Sequence, residues 1–252
     1  SAGEVKSGKK VFSKSDRVSS GDKIEVIMPE PQSSDPIPKT PLKDLKVIFE
    51  DNDLIVVDKP VGCASHPSPG WDGPTVIGAL IAAGHGVTTS GPAERRGIVH
   101  RLDATTSGVM AVAKSESAYL VMKDKFRQRD VHKVYHALIQ GHLEPAEGTI
   151  DAPIDRHPKD SHKMAVVKDG KISITHYEVL ETFNGIDGTP VASLVACHLE
   201  TGRTHQIRVH MTHLGHPLIG DAVYGTGFRT KISLLTEDAR KIVQNFNRQA
   251  LH

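Results

Sequence analysis

The sequence predicts a mixed α+β fold built on a large, mostly antiparallel sheet. Short alternating or β-branched apolar runs recur along its 252 residues, and turn-forming Gly, Pro, Asn and Asp separate them. Only a few segments show helical spacing of apolar residues, and no internal repeat is visible. Many strands with few helices indicate this class. The length suits one large domain, or one domain with an appendage.

The N-terminal part is too short to bury a core alone. Residues 1–28 are strand-like pieces punctuated by Gly and Ser. Within them, "GDKIEVIMP" predicts a turn and then a strand with Ile24, Val26 and Met28 on one face. This part is either an edge of the main domain or the end of a truncated module. Residues 29–45 carry five prolines and predict an extended linker.

The main domain, residues 46–252, opens with a predicted hairpin, "VIFEDNDLIVVDKP". Residues 75–84 predict a helix that ends on glycine, and residues 108–114 predict a short buried strand. The next helix begins after Ser115, its predicted N-cap. The apolar face of this helix carries Ala118, Val121, Met122 and Phe126.

The rest of the domain continues with strands and two more helices. "HKVYHALIQG" predicts a strand with Tyr135, Ala137 and Ile139 on one side. "THQIRVHMTHLG" predicts a helix capped by Thr204 and ended by Gly215. Further strands are predicted near 149–154, 163–167, 172–181 and 191–200. A last helix, from about Thr236, shows Ala239, Ile242, Val243 and Phe246 at helical spacing.

The composition excludes some classes of protein. The net charge is +1, so a nucleic-acid site must come from local clusters of Lys and Arg. No apolar run approaches the roughly 18 residues that span a bilayer, and the N-terminus has no signal-peptide apolar region. Cys63 and Cys197 lie outside CxxC spacing and suit a reducing compartment, although two cysteines could form one disulfide. We therefore expect a cytoplasmic protein with no membrane partner.

The stretch "HRLDATTSG" contains a candidate catalytic acid, Asp103. The simplest interpretation is an ordinary loop carboxylate paired with Arg101 or Arg96. The turn-forming residues after it offer N–H groups and hydroxyls that could orient the carboxylate, and the apolar run beyond anchors the loop. Loop acids on rigid scaffolds are a common catalytic arrangement. The residues alone make Asp103 a candidate and no more.

Two further stretches concentrate positive charge. Between residues 201 and 231, four Lys or Arg stand against one acid, Asp221, and Arg208 is placed to pair with a buried carboxylate. Four histidines lie here too, but a metal site is not expected because no acid or Cys stands at ligand spacing. The other stretch, "KDKFRQRDVHKVYHA", runs into a strand bearing Tyr135. It is either a solvated helix end or part of a nucleic-acid groove.

Together these motifs resemble the RNA pseudouridine synthases of the RluA/RluD branch. "GIVHRLDATTSGVMAVAKS" matches that family's signature around its catalytic aspartate, and "KVYHALIQG" resembles its tyrosine-bearing strand. "TGRTHQIRVHMTHLGHPLIGDAVYG" resembles its third core motif, and "VIFEDNDLIVVDKPVGCASHP" its opening hairpin. The resemblance covers residues 46–252 and implies the pseudouridine synthase fold, a mixed sheet with flanking helices and a central RNA-binding cleft.

The resemblance implies an isomerase of uridine in RNA that needs no cofactor and no metal. Asp103 would be the essential acid, either attacking the sugar or removing its 2′ proton, and Arg208 would hold it ionised and aimed. Tyr135 would stack on the base or relay a proton at C5. Ile207 would pack beneath the uracil, and Arg101 would fill the place in the RNA stack that the flipped base leaves.

The remaining expected RNA contacts come from the two basic stretches. Arg203 and His205 belong to the third motif, and Lys125, Arg127 and Lys133 to the helix end before the tyrosine-bearing strand.

The resemblance also suggests a target and a role for the N-terminus. Residues 1–28 resemble the last part of an S4 RNA-binding module, with generic edge strands as the alternative. Members with such a module usually modify large-subunit ribosomal RNA, so we expect that RNA or a ribosome precursor as the partner of a monomer, with transfer RNA as the alternative. Rival interpretations are an inactive RNA-binding protein on this fold, a metal hydrolase and a two-carboxylate glycosidase.

Overall fold

The computed structural model describes residues 4–7, 10–11, 17, 19–21, 23–27, 37–225 and 232–252. The chain divides into two compact units, Ser1–Pro38 and Lys39–His252. The division falls inside the stretch 29–45 that its prolines mark as a linker. Met28, Arg229 and Lys231, which figured in the expectations from sequence, lie outside the described residues.

The N-terminal unit contains a small antiparallel sheet with strand order β2-β1-β3. Its strands are β1 (Glu4–Ser7), β2 (Lys10–Val11) and β3 (Glu25–Ile27). The predicted strand in "GDKIEVIMP" is therefore present. Ile24 and Val26 are nevertheless exposed, so the described part of this strand buries no apolar face.

The larger unit is built on two antiparallel sheets and a hairpin, which confirms the mixed α+β class. A four-stranded sheet has the order β7-β12-β11-β8, and a three-stranded sheet has the order β4-β5-β6. Its strands are β4 (Lys46–Glu50), β5 (Leu54–Lys59), β6 (Gly108–Ala113), β7 (Val134–Gln140), β8 (Glu147–Asp151), β11 (Ile174–Asn184) and β12 (Pro190–Leu199). The hairpin pairs β9 (Ile154–His157) with β10 (Asp160–Val166).

The described residues form four α-helices that flank the sheets, and three of these helices begin after a hydroxyl residue that caps them. They are α1 (Val76–Ala82), α2 (Glu116–Gln128), α3 (Gln206–His213) and α4 (Glu237–Asn245). Thr75, Ser115 and Thr236 accept N–H bonds from the first turns of α1, α2 and α4. The predicted Thr204 cap of α3 is wrong, because His205 occupies that position and makes no side-chain cap bond.

Two predicted helix faces are also partly wrong. Val121 of α2 is 59% exposed and Ile242 of α4 is 68% exposed. In α2 the inward face passes through Tyr119, Met122 and Phe126, and Tyr119 is the buried residue. Since residues three and four apart share a helix face, Val121 lies off this stripe.

The main core lies between the four-stranded sheet and α3. The alternation predicted for β7 is confirmed, because Ala137 and Ile139 are fully buried and pack with Ile207 and Met211 of α3. The last residues of the chain pair with the other edge of β7, where His136 and the main chain of His252 exchange two hydrogen bonds of 2.7 and 3.0 Å. Strand β7 thus packs against α3 in the core, and its free edge pairs with the C-terminal residues.

Gly220 lies in close contact with the backbone of the C-terminal residues. It has a φ of +76°, and a Cβ there would lie 2.1 Å from the carbonyl oxygen of Arg248, whereas Gly215, with a φ of +85°, has open space around it. Gly215→Ala should cost about 1 kcal/mol of unfolding free energy from backbone strain alone. Gly220→Ala should cost at least twice as much, as measured by urea unfolding. Equal losses in the two variants would show that the close approach to Arg248 contributes nothing.

Candidate active site

Asp103 lies on the loop that precedes β6, and the residues beside it are anchored by neighbouring segments. Ser65 makes two hydrogen bonds with the backbone of Leu102. Its Oγ accepts the Leu102 N–H at 3.0 Å and donates to the Leu102 carbonyl at 3.1 Å. The Gly62 N–H donates to the Ala104 carbonyl at 2.9 Å. The Thr106 N–H bonds the main-chain carbonyl of Asp103, not its carboxylate. The turn residues therefore shape the loop, and the carboxylate is oriented by other groups.

Lys59 also supports this loop, although the sequence analysis assigned it no role. Its side chain is fully buried, and Nζ donates to the carbonyl of Cys63 at 2.6 Å, of Pro60 at 3.0 Å and of Ala104 at 3.4 Å. Burial lowers the pKa of Lys59 to about 8, and attraction to Cys63 and Asp103 offsets part of this effect. The sequence pattern of β5 could have indicated that Lys59 is buried, because Ile55, Val57 and Lys59 are every second residue and share the buried face of the strand.

The start of α3 is fixed by a buried amide. Gln206 accepts bonds from the Thr201 hydroxyl at 2.8 Å and the Arg203 N–H at 2.9 Å. Its Nε2 donates to the Ile174 carbonyl and the Thr175 hydroxyl, each at 3.0 Å. These bonds tie the first turn of α3 to β11 and thereby set the direction of the next two side chains, the buried residues Ile207 and Arg208.

Arg208 holds two carboxylates, and the tighter partner is one that the motifs did not indicate. Its Nε and Nη2 form a fork with Asp221 at 2.6 and 2.9 Å, and Asp221 is completely buried. Its Nη1 lies 3.5 Å from Oδ2 of Asp103. The ring of Tyr224 lies 5.0 Å from the guanidinium carbon. The predicted pairing of Arg208 with Asp103 is present, but as the longer of two ion pairs.

The charge states of this pair follow from its environment. Burial lowers the pKa of Arg208, but the hydrogen bonds and the charge of Asp221 outweigh it and leave that pKa raised. Burial raises the pKa of Asp221, and Arg208 together with two backbone N–H groups turns the net shift downward. Both groups are therefore charged, and Arg208 keeps its positive charge while Nη1 faces Asp103.

Asp103 faces a cavity of about 110 Å³ that brings most of the predicted site residues together. Among the described residues that line it, Asp103 is the sole carboxylate. Its other predicted members are Arg101, Tyr135, Arg203, His205, Ile207 and Arg208. Burial and the charge of Asp103 raise the pKa of Tyr135 to about 12, so this phenol is protonated at neutral pH.

A second, basic groove of about 440 Å³ adjoins this cavity and shares Arg101, Tyr135 and Arg203 with it. Its cations are Arg101, Arg127, Arg129, Lys133 and Arg203, and Glu200 is the one described acid in its lining. Arg101 is exposed, and no described carboxylate lies within ion-pair distance of it. Positive charge is therefore concentrated beside Asp103 in a chain whose net charge is only +1.

Lys125 lies apart from the cavity of Asp103. It lines a neighbouring cavity of about 470 Å³ with Phe126 and Tyr135. Lys125 pairs with Asp130, and Arg127 pairs with Asp124. Both cations therefore point outward from the end of α2 with a local carboxylate beside them.

Three of the four histidines of the third motif, His205, His210 and His216, have separate partners. His205 lies beside Asp103 and Tyr224, and His216 contacts the Gln140 carbonyl at 2.8 Å. His210 is fully buried between the Thr175 hydroxyl and the Ala152 carbonyl, each at 2.9 Å. Within the described part of the chain, no group of three His, Cys, Asp or Glu is placed to hold a metal ion.

Fold and site together define a class of enzyme. A single carboxylate, clamped by an arginine next to an aromatic ring and a basic groove, suits chemistry on one nucleotide of a nucleic acid. The family model described as RNA pseudouridylate synthase matches residues 53–213. The chain belongs to this family, whose enzymes isomerise uridine to pseudouridine, and the resemblance inferred from the motifs is confirmed.

Individual relatives agree with this assignment. An uncharacterised RNA pseudouridine synthase of Mycobacterium tuberculosis is 53% identical over 214 residues, which are 84% of this chain and 67% of the relative. Ribosomal large subunit pseudouridine synthase D of Pseudomonas aeruginosa is 43% identical over 209 residues, or 83% of this chain and 62% of the relative. The structure of human RNA pseudouridylate synthase domain containing 1 superposes with a TM-score of 0.62 at 28% identity, covering 88% of this chain and 78% of the human one.

The described residues include no helix with both the length and the apolar character needed to cross a bilayer.

Asp221 is expected to control both stability and activity through Arg208. Asp221→Asn removes the charge from a fully buried pair, so the free energy of unfolding should fall by about 3 kcal/mol. Pseudouridine formation should fall at least about tenfold, because the guanidinium that faces Asp103 is no longer held. Urea unfolding and single-turnover assays measure the two effects.

Glu237→Gln is the matched control. It breaks the exposed pair of Glu237 with Lys241, which should cost less than about 1 kcal/mol and leave turnover unchanged. A loss of stability in Asp221→Asn no larger than in Glu237→Gln would contradict the role assigned to the buried pair.

Proposed function

We propose that this enzyme converts uridine to pseudouridine in large-subunit ribosomal RNA, with Asp103 as the catalytic residue. The observation that carries the proposal is the position of Asp103. It is the one described carboxylate that lines the cavity beside the basic groove, and its Oδ2 lies 3.5 Å from the buried Arg208. A positioned carboxylate that reaches the sugar of a flipped nucleotide is what the reaction requires.

The isomerisation sets the tasks of the site. The N1–C1′ bond of the uridine breaks, C1′ joins C5, and the hydrogen lost from C5 is balanced by a proton gained at N1. Asp103 acts either by attacking C1′ or by taking the 2′ proton, and both routes use a carboxylate ion. Arg208 supplies the positive charge that holds this ion in place.

Three neighbours have proposed roles in holding the base. A phenol with a pKa near 12 is a poor proton relay at neutral pH, which favours stacking on the uracil as the role of Tyr135. Ile207 is buried at the cavity wall and supplies an apolar surface for the ring. Arg101 is exposed at the junction of cavity and groove, where it is placed to occupy the gap that a flipped base leaves in the RNA stack.

The basic groove supports RNA as the partner. Arg127, Lys133 and Arg203 line it and are proposed to contact phosphates, and Lys125, in the neighbouring cavity, is proposed to extend the contact along α2. The relative from Pseudomonas aeruginosa is named for the large ribosomal subunit, which supports that RNA as the target. Transfer RNA is the second candidate.

Two features of the chain support proposals for its N-terminal unit and its cellular compartment. The small antiparallel sheet of the N-terminal unit is proposed to be part of an S4-like RNA-binding module, on the strength of its sequence resemblance. Cys63 and Cys197 are free and buried, which suits a reducing compartment such as the cytoplasm.

Asp103→Asn tests the catalytic assignment. The amide neither attacks C1′ nor accepts the 2′ proton, so pseudouridine formation should be abolished while RNA affinity changes less than about threefold. The assay uses ribosomal and transfer RNA purified separately from cells that lack this enzyme, with pseudouridine mapped at each position. Asp169→Asn, at an exposed turn, is the control and should retain full activity.

The outcomes separate the parts of the proposal. Turnover by Asp103→Asn would refute its role as the catalytic residue. Product in transfer RNA alone would move the target to that class.

The groove is tested through the salt dependence of RNA binding. Arg127→Gln removes one proposed phosphate contact and should reduce the slope of log K against log salt by about 1. Lys241→Gln is the matched control, because Lys241 is also an exposed, ion-paired cation but lies on α4 outside the groove. An unchanged slope in Arg127→Gln would remove this residue from the RNA path.

A further inference from the structure

His205 has an unusual backbone for its position. Its φ of +57° and ψ of +22° lie in the left-handed region, which among the described non-glycine residues only Arg129 also occupies. It stands at the N-cap of α3, yet its side chain makes no cap bond. A non-glycine residue held in this region stores strain, and such strain is concentrated at functional sites. Here the left-handed turn places the imidazole between Tyr224 and Asp103.

The two ring nitrogens of His205 face different groups. Nδ1 lies 3.0 Å from the Tyr224 hydroxyl oxygen, and Nε2 lies 3.7 Å from Oδ2 of Asp103. The Tyr224 oxygen already accepts the Met164 N–H at 2.9 Å, so its own proton is free to be donated. Among the described residues, Nδ1 of His205 is the acceptor within reach. Donation from the Tyr224 hydroxyl to Nδ1 would place the proton of the neutral imidazole on Nε2, toward Asp103.

The neutral form is favoured by the surroundings of the ring. Burial lowers the pKa of His205, and attraction to Asp103 and Asp221 is opposed by repulsion from Arg208 and Arg101. The lowered pKa favours the uncharged ring, which has one N–H to donate.

We propose that His205 is a positioning residue for the catalytic carboxylate, and that the Tyr224 hydroxyl sets its tautomer. Nε2 of His205 and Nη1 of Arg208 both face the same oxygen of Asp103, Oδ2. Two donors on one oxygen fix the rotation of the carboxylate and reserve Oδ1 for the sugar of the uridine. A shift of about 0.5 Å on substrate binding would bring Nε2 within hydrogen-bond distance. This inference rests on the proposed role of Asp103.

Substitutions of His205 separate donor chemistry from backbone strain. Asn tolerates the left-handed backbone but is too short to reach Asp103, so His205→Asn should lower the single-turnover rate about 10- to 100-fold. His205→Gln places an amide donor near the position of Nε2 and should recover most of that loss. RNA affinity should stay within about threefold of wild type in both variants. Thermal unfolding confirms that each variant is folded.

A double-mutant cycle with Tyr224→Phe tests the tautomer. The phenyl ring keeps its place under Arg208 but cannot donate to Nδ1, so the imidazole can switch and turn a lone pair toward Asp103. Tyr224→Phe should therefore lower turnover about tenfold when residue 205 is His. It should cost little more when residue 205 is Gln, because the amide donor has no tautomer to lose. The lost partner of the Met164 N–H affects both backgrounds equally and cancels in the cycle.

Each possible result bears on a different part of the proposal. Equal effects of Tyr224→Phe in the two backgrounds, or wild-type turnover by His205→Asn, would overturn the proposal. A loss of RNA affinity with unchanged turnover at saturating RNA would overturn it as well, and would make His205 an RNA contact. If the wild-type enzyme forms no pseudouridine in ribosomal or transfer RNA, the proposed function fails, irrespective of His205.

Discussion

The site depends on one buried ion pair, the fork between Arg208 and Asp221. Three segments meet there: the first turn of α3, the segment after Gly220 and the loop that carries Asp103. A buried charge is costly unless it is paired, so neither partner of the fork can turn away. The guanidinium uses two of its nitrogens on Asp221, and its third nitrogen faces Asp103, the proposed catalytic carboxylate. Stability and catalytic geometry thus rest on the same side chain.

Much of this arrangement was predictable from the sequence, and the missing part has a physical reason. Alternating apolar residues predicted the strands, and the hydroxyl cap Ser115 predicted the start of α2, because both signals are local. The motifs predicted that Asp103, Tyr135 and Arg208 share a site. They did not predict that Arg208 also binds Asp221, since spacing alone does not show which acid an arginine with five N–H donors meets in space. The helix faces with Val121 and Ile242 failed because apolar spacing leaves the phase of a short helix uncertain.

Positive charge is concentrated in one groove of the protein and does not appear in its net charge. The chain is nearly neutral, yet five cations line the groove beside the cavity with one described acid among them. At the end of α2, Arg127 is paired with Asp124, so it is held outward before any RNA arrives. A phosphate must then compete with a carboxylate for such a cation. If the groove binds RNA as proposed, it combines moderate attraction with fixed geometry, which favours a correctly shaped RNA over any polyanion.

The buried amide of Gln206 limits how far the cavity wall can move. Its four hydrogen bonds join α3 to β11 and the preceding turn, so the wall of the cavity that contains Asp103 has little freedom to open. The RNA, rather than the protein, must then make the large movement, and its unstacking costs a few kcal/mol. If Asp103 acts on a flipped uridine as proposed, uridines in loops or bulges, which are already partly unstacked, are the expected targets.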